Sequence, residues 1–144
     1  MMKIIYLFIL AVLHAMWETE IEGSAGWAKN LPTWRLKTPF KKILSGKEIT
    51  GYHTLMFLIF LLGFHSPILF MEWSWAKELI TIGTFLIYLI VEDLLWFILN
   101  PYYSFKRFWE QKVRWHKKWF MKLPLEYWYF ILTGITLILI GKNM

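Results

Sequence analysis

His14, Glu18 and Glu22 follow one another at intervals of four residues, the spacing that places side chains on one face of an α-helix, while Glu20 falls on the other side. An imidazole and carboxylates within reach of one another are donors suited to Zn, Fe or Mn. Two more histidines lie in apolar company. His53 comes two residues into the apolar run that opens at Gly51, and His116 sits among Trp115, Trp119 and Phe120. His14, Glu18, Glu22, His53 and His116 therefore form the candidate metal-ligand set.

Glu92 and Asp93 are adjacent within another apolar run, seven and six residues before Leu99. That is about 10 Å along a helix at its usual rise per residue. Carboxyl groups at that depth need a partner or a purpose, and both are candidates for general acid or base work. Asn100 closes the stripe that Glu92 begins. With Arg35 and Trp34 it forms a candidate site for a substrate or an anionic headgroup, since a guanidinium pairs with phosphate in a fixed geometry. Gly23-Ser24-Ala25-Gly26 offers, more weakly, a backbone nest for a phosphate.

Missing parts narrow the chemistry. The chain has no Cys, hence no disulfide, no thiolate ligand and no cysteine nucleophile. It contains no His-Glu-x-x-His, no Glu-x-x-His, no Gly-x-Ser-x-Gly and no P-loop. Its four His are fewer than the histidine boxes of membrane desaturases and hydroxylases use. Haem clamped between His14 and His53 is a further reading, but it leaves Glu18, Glu22, Glu92 and Asp93 without a role.

The elements that must position these groups are those of a membrane protein. At 144 residues, 58% hydrophobic, 20% aromatic and 18% charged, the chain is one domain with more apolar surface than a soluble core of that size buries. We expect an all-α integral membrane domain, a bundle of four spans at about 4–22, 51–70, 79–99 and 123–140, lengths set by a hydrocarbon core of roughly 30 Å. The first apolar run, Ile4 to Trp17, has the length of a signal-peptide core; we read it as a retained helix continuing to Glu22.

Six Lys and Arg fall in residues 18–50 and seven in 100–126, against three elsewhere. The positive-inside rule then puts both long connections in the cytoplasm and both termini outside. The net charge of +6, distributed in this way, points to anionic headgroups and membrane lipids as partners rather than to nucleic acid. The expected location is the cell membrane of a prokaryote.

Between Phe105 and Phe120 the apolar residues separate from the basic ones on a helical wheel, with Lys112 the single misfit. This predicts an amphipathic helix lying in the membrane plane over about 103–121, with His116 facing inward. Topology thus gathers His14, His53, His116 and the deep carboxylates at one leaflet. The function expected from this gathering is metal-dependent chemistry on a lipid or other amphipathic molecule at the cytoplasmic interface. The alternative is a non-catalytic assembly or small-molecule carrier protein in which the same groups only lock the bundle.

Overall fold

A computed structural model describes residues 1–37 and 47–144. Lys41 and Lys42 of the basic count lie outside the described residues, as do Phe40 and Ile43, whose apolar side chains would suit anchors at the headgroup level. Four helices are long and apolar enough to cross a membrane: α1 (Met2–Glu22), α2 (Gly51–His65) with the 3-10 turn that extends it (Ser66–Leu69), α3 (Trp75–Leu99) and α5 (Leu125–Lys142). Between α3 and α5 lie the short α4 (Phe105–Trp109) and a hairpin of β3 (Trp119–Phe120) and β4 (Leu123–Pro124). A second two-stranded ladder, β1 (Arg35–Leu36) with β2 (Ile49–Thr50), ties the connection after α1 to the start of α2, with Arg35 opposite Thr50.

The span boundaries follow from local chemistry. Gly23 stops α1 with a φ of 57°, a left-handed conformation that glycine adopts without penalty. Thr50 caps α2, its hydroxyl accepting from the His53 N–H at 3.2 Å. Pro67 turns the end of that span into a 3-10 segment. The third span begins at Trp75, four residues before the expected start, because Ser74 caps it, accepting from the Lys77 N–H at 3.3 Å. The fourth begins at Leu125, because Leu123 and Pro124 are held in the hairpin.

α3 is the hub, packed against α5 most extensively and then against α1. Its contact with α5 is set by small residues one heptad apart. A Cβ built on Gly83 would lie 2.6 Å from the Gly134 carbonyl oxygen, and one built on Gly141 would lie 2.6 Å from that of Ala76. The backbones therefore meet directly, the close approach that small residues permit between membrane helices. At the end where α1 and α3 terminate and α2 and α5 begin, Trp96, Phe97, Tyr103, Phe108, Trp115 and Tyr127 form a buried aromatic core beneath the connections.

The long amphipathic helix expected over 103–121 is not formed. Only Phe105–Trp109 is helical, and Gln111, at a φ of 59°, ends it. The Lys112 N–H bonds the Arg107 carbonyl at 2.8 Å and the Gln111 N–H bonds that of Phe108 at 2.9 Å, the paired bonds of a Schellman stop. Lys112, the residue out of place on the helical wheel, sits where the helix has already closed. Residues 110–118 then run over the aromatic core without regular structure, and Val113, Trp115 and His116 are buried in it.

Candidate metal centre and its cavity

The last turn of α1 and the first of α2 build the centre. Glu18 and Glu22 share the buried face of α1, whereas Glu20 is exposed. Each of Glu18, Glu22 and His53 offers one donor atom, and the three atoms lie within 4.8 Å of one another. His53 Nε2 is 3.5 Å from Glu22 Oε1 and 3.8 Å from Glu18 Oε1. Its other nitrogen, Nδ1, lies 2.7 Å from the Thr50 hydroxyl, itself fully buried. Such a partner fixes the orientation of an imidazole and the nitrogen it presents.

The connection after α1 folds back over this group. The Ala28 N–H donates to the Glu22 carboxylate, while in the turn suggested as a phosphate nest the Gly23 and Ala25 N–H groups bond the backbone carbonyls of Thr19 and Glu22. Trp27 stacks on the His53 ring, with centroids 4.1 Å apart, and its indole N–H reaches the Glu48 carbonyl at 2.9 Å. The Lys47 ammonium lies 4.3 Å from the centre of the Trp27 ring.

A cavity of about 130 Å³ opens beside the group, lined by α1, α2, α3 and α5. Glu18, Glu22, His53, Glu92 and Asp93 line its polar part, whereas Phe57, Leu89 and Phe130 are among the residues of its apolar part. Among the described residues, Glu18 Oε1, Glu92 Oε1 and the Trp96 indole nitrogen have no hydrogen-bond partner, although all three residues are buried and line the cavity. Buried polar atoms left in this state are costly, each by about 1–3 kcal/mol.

His116 belongs to a neighbouring network. Its ring bridges two acidic side chains, Nδ1 2.7 Å from Glu126 Oε1 and Nε2 3.3 Å from Asp93 Oδ2. Tyr127 donates its hydroxyl to Asp93, and Lys47 pairs with Glu126 at 3.4 Å. The contact with Asp93 agrees with the inward orientation expected of His116, but it comes from an irregular segment pinned over Phe97, Trp119 and Tyr127.

The remaining sequence candidates have separate places. His14 lies about a turn above Glu18, its Nδ1 3.1 Å from the Tyr88 hydroxyl and its ring stacked on Phe60 at 3.8 Å. Asn100 locks two connections together, donating to the Gly23 carbonyl at 2.9 Å and accepting from the Tyr102 N–H at 2.8 Å. Arg35 donates to the carbonyls of Ala28 and Lys29. Trp34 is half exposed, with its indole covering Gly51, where a Cβ would collide with it.

Sequence reading missed Glu126, Lys47, Tyr127 and Thr50. Thr50 carried a usable signal, a Thr three residues before a histidine at a helix start. Glu126 carried a weaker one, as an acidic residue among the aromatics that open the last span. No protein-family model, no curated protein and no solved structure matches the chain.

Proposed function

We propose that this chain is a multi-pass protein of the cell membrane whose Glu18, Glu22 and His53 hold a divalent transition metal, and that it acts on a lipid or other amphipathic molecule admitted to the adjoining cavity. The observation that carries this reading is the convergence of three buried donors from two helices within 4.8 Å, beside a cavity whose lining passes from carboxylates to aromatic and aliphatic side chains.

Charge supports it as well. Glu18 and Glu22 lie beside the His53 imidazole and Glu92 lines the same cavity, while Lys47, the one lysine among the described lining residues, is paired with Glu126. Carboxylates in a low-dielectric site require compensation, by protons or by a cation. One imidazole and two carboxylates suit Zn, Fe or Mn and leave coordination positions for water or substrate. Zn²⁺ or a similar ion there would polarise a substrate oxygen or activate water. Glu92, with one uncommitted oxygen on the cavity wall, is the residue suited to move a proton. Asp93 serves to hold His116 and Tyr127.

The basic connections, with Arg35 among them, support a cytoplasmic position for the centre under the positive-inside rule. His14 and His116 stand outside the metal group in this reading. A haem between His14 and His53 would have to displace Phe60 and Trp27, which cover the two rings.

The second reading, a lock without chemistry, is favoured by one observation. Lys47, Glu126, His116, Asp93 and Tyr127 form a linked chain of polar contacts across the connections, α3 and α5. Metal content separates the two. Elemental analysis of protein purified in detergent is expected to find about one Zn, Fe or Mn per chain, lost with a chelator and in Glu22→Gln and His53→Ala but kept in Glu126→Gln. Absence of metal from the wild-type protein after reconstitution with each ion would leave the lock as the function of these residues.

A further inference from the structure

A second cavity, of about 280 Å³, adjoins the first and is built from the connections rather than the spans. Lys29, Arg35, Lys47, Arg114 and Lys117 line it, and Glu48 is the one carboxylate among its lining residues. Trp27, Lys47 and Trp115 line both cavities and form the partition between them. The floor is closely fitted, since a Cβ on Gly26 would run into the Trp115 ring.

The bases of this vestibule differ from others in the same connections. Lys106 and Lys112 are exposed, as are Lys29, Arg35, Arg114 and Lys117, but the first two spend their charge on Glu110, at 3.6 and 2.8 Å. Among the described residues no acidic side chain pairs with Lys29, Arg114 or Lys117, although they come together from two segments remote in sequence. Arg35 is oriented by two backbone carbonyls, so its guanidinium is fixed before any ligand arrives. The bases outnumber the single carboxylate, Glu48; like charges gathered in such excess repel one another, and an anion relieves that repulsion. Lysines and a fixed guanidinium facing one space are a phosphate-binding set.

We infer that the vestibule binds the phosphoryl group of an amphipathic phosphate ester whose body occupies the adjoining cavity; this rests on reading that cavity as the substrate site. The order of the lining residues fits such a molecule. Three of the four helices at the cavity pair a polar residue with an apolar one four residues deeper into the span, His53 with Phe57, Asp93 with Leu89, and Glu126 with Phe130, while α1 contributes only Glu18 and Glu22. Four residues of helix are about 6 Å. From the vestibule inward the lining is therefore basic, then acidic and imidazole, then apolar, the polarity sequence of a phosphorylated head, a linkage region and a hydrocarbon tail.

The test uses protein in dodecyl maltoside, a detergent without phosphate, and three probes: dihexanoyl phosphatidate, dihexanoylglycerol and inorganic phosphate. Binding is read by calorimetry. Phosphatidate is expected to bind at least tenfold more tightly than either dihexanoylglycerol or inorganic phosphate. The triple variant Lys29→Gln, Arg114→Gln, Lys117→Gln is expected to lose at least tenfold toward phosphatidate and to keep its affinity for dihexanoylglycerol. Lys106→Gln with Lys112→Gln should change neither. Circular dichroism of each variant checks that the exposed substitutions leave the helices intact.

Undiminished phosphatidate binding by the triple variant overturns the proposal. Inorganic phosphate binding as tightly as phosphatidate would make the ligand a free anion and overturn the amphipathic assignment. Metal content, measured on the same samples, fails or holds independently: loss of charge-dependent binding in a triple variant that keeps its metal supports both readings, and a wild-type protein without metal that still prefers phosphatidate retains the vestibule alone.

Discussion

Thr50→Ala tests the proposed centre through a residue that would not itself touch the metal. The Thr50 hydroxyl makes two contacts with one residue, accepting from the His53 N–H at 3.2 Å and lying 2.7 Å from His53 Nδ1. The first caps α2, and loss of such a cap costs about 1 kcal/mol. The second is a hydrogen bond to a buried ring, whose loss costs about another 1 kcal/mol. Together they predict a destabilisation of about 2 kcal/mol, read as a lowered Tm in detergent. The functional effect is separate. A neutral imidazole that offers Nε2 to a metal carries its proton on Nδ1, and the Thr50 oxygen is placed to accept it. Removing a partner of this kind typically weakens metal binding by about 10–100-fold. Zn²⁺ titration against a competing chelator should show that loss in Thr50→Ala, whereas Thr50→Ser, which keeps the hydroxyl, should bind within a few-fold of the wild type and regain most of the Tm. Equal affinity in Thr50→Ala and the wild type would refute the link between Thr50 and a metal on His53. A loss in Thr50→Ser as large as that in Thr50→Ala would show that the methyl group or the helix start matters, rather than the hydrogen bond.

Three further outcomes follow from other contacts. His116→Phe leaves Glu126 and Asp93 without the ring between them; breaking a buried pair in this way costs about 3–5 kcal/mol, so Tm should fall markedly while metal content, measured on the folded fraction, stays at the wild-type level. Gly134→Ala should destabilise the protein by about 1–2 kcal/mol, since overpacking against a backbone costs roughly 1–3 kcal/mol and the new Cβ would lie 2.8 Å from the Gly83 carbonyl oxygen; Gly63→Ala, with open space around it, should be neutral or stabilising on the same thermal assay. Single cysteines at Ser104 and Asn143, both exposed, should respectively resist and accept an impermeant thiol reagent in intact cells. The reverse pattern would place the centre on the outer face.

Much of this architecture is legible in the amino-acid order because its causes are local. Apolar runs long enough to span a bilayer, Gly23, Pro67 and Asn100-Pro101 as stops, and the four-residue spacing of Glu18 and Glu22 each act within a few residues of chain. The gathering of His53 and Glu92 near that pair also follows from order alone, since successive spans reverse direction and return their polar ends to the same side. The composition of each polar group does not follow. His14 and His53 enter comparable apolar runs, yet one is paired with Tyr88 and the other lies beside the carboxylates. That choice depends on helix rotation and on the placing of Trp27, which are set by packing between elements distant in sequence. The hairpin that positions Glu126, and the Schellman stop at Gln111 that prevents a long amphipathic helix, were equally hidden: a wheel pattern sorts apolar from basic residues without giving the backbone that carries them, and Phe105, Trp109 and Phe120 on its apolar side are exposed. Apolar periodicity therefore determined the spans and the end at which the polar residues collect. Tertiary packing decided which of them face one another, because a donor set is defined over a few ångströms by the rigid-body placement of whole helices.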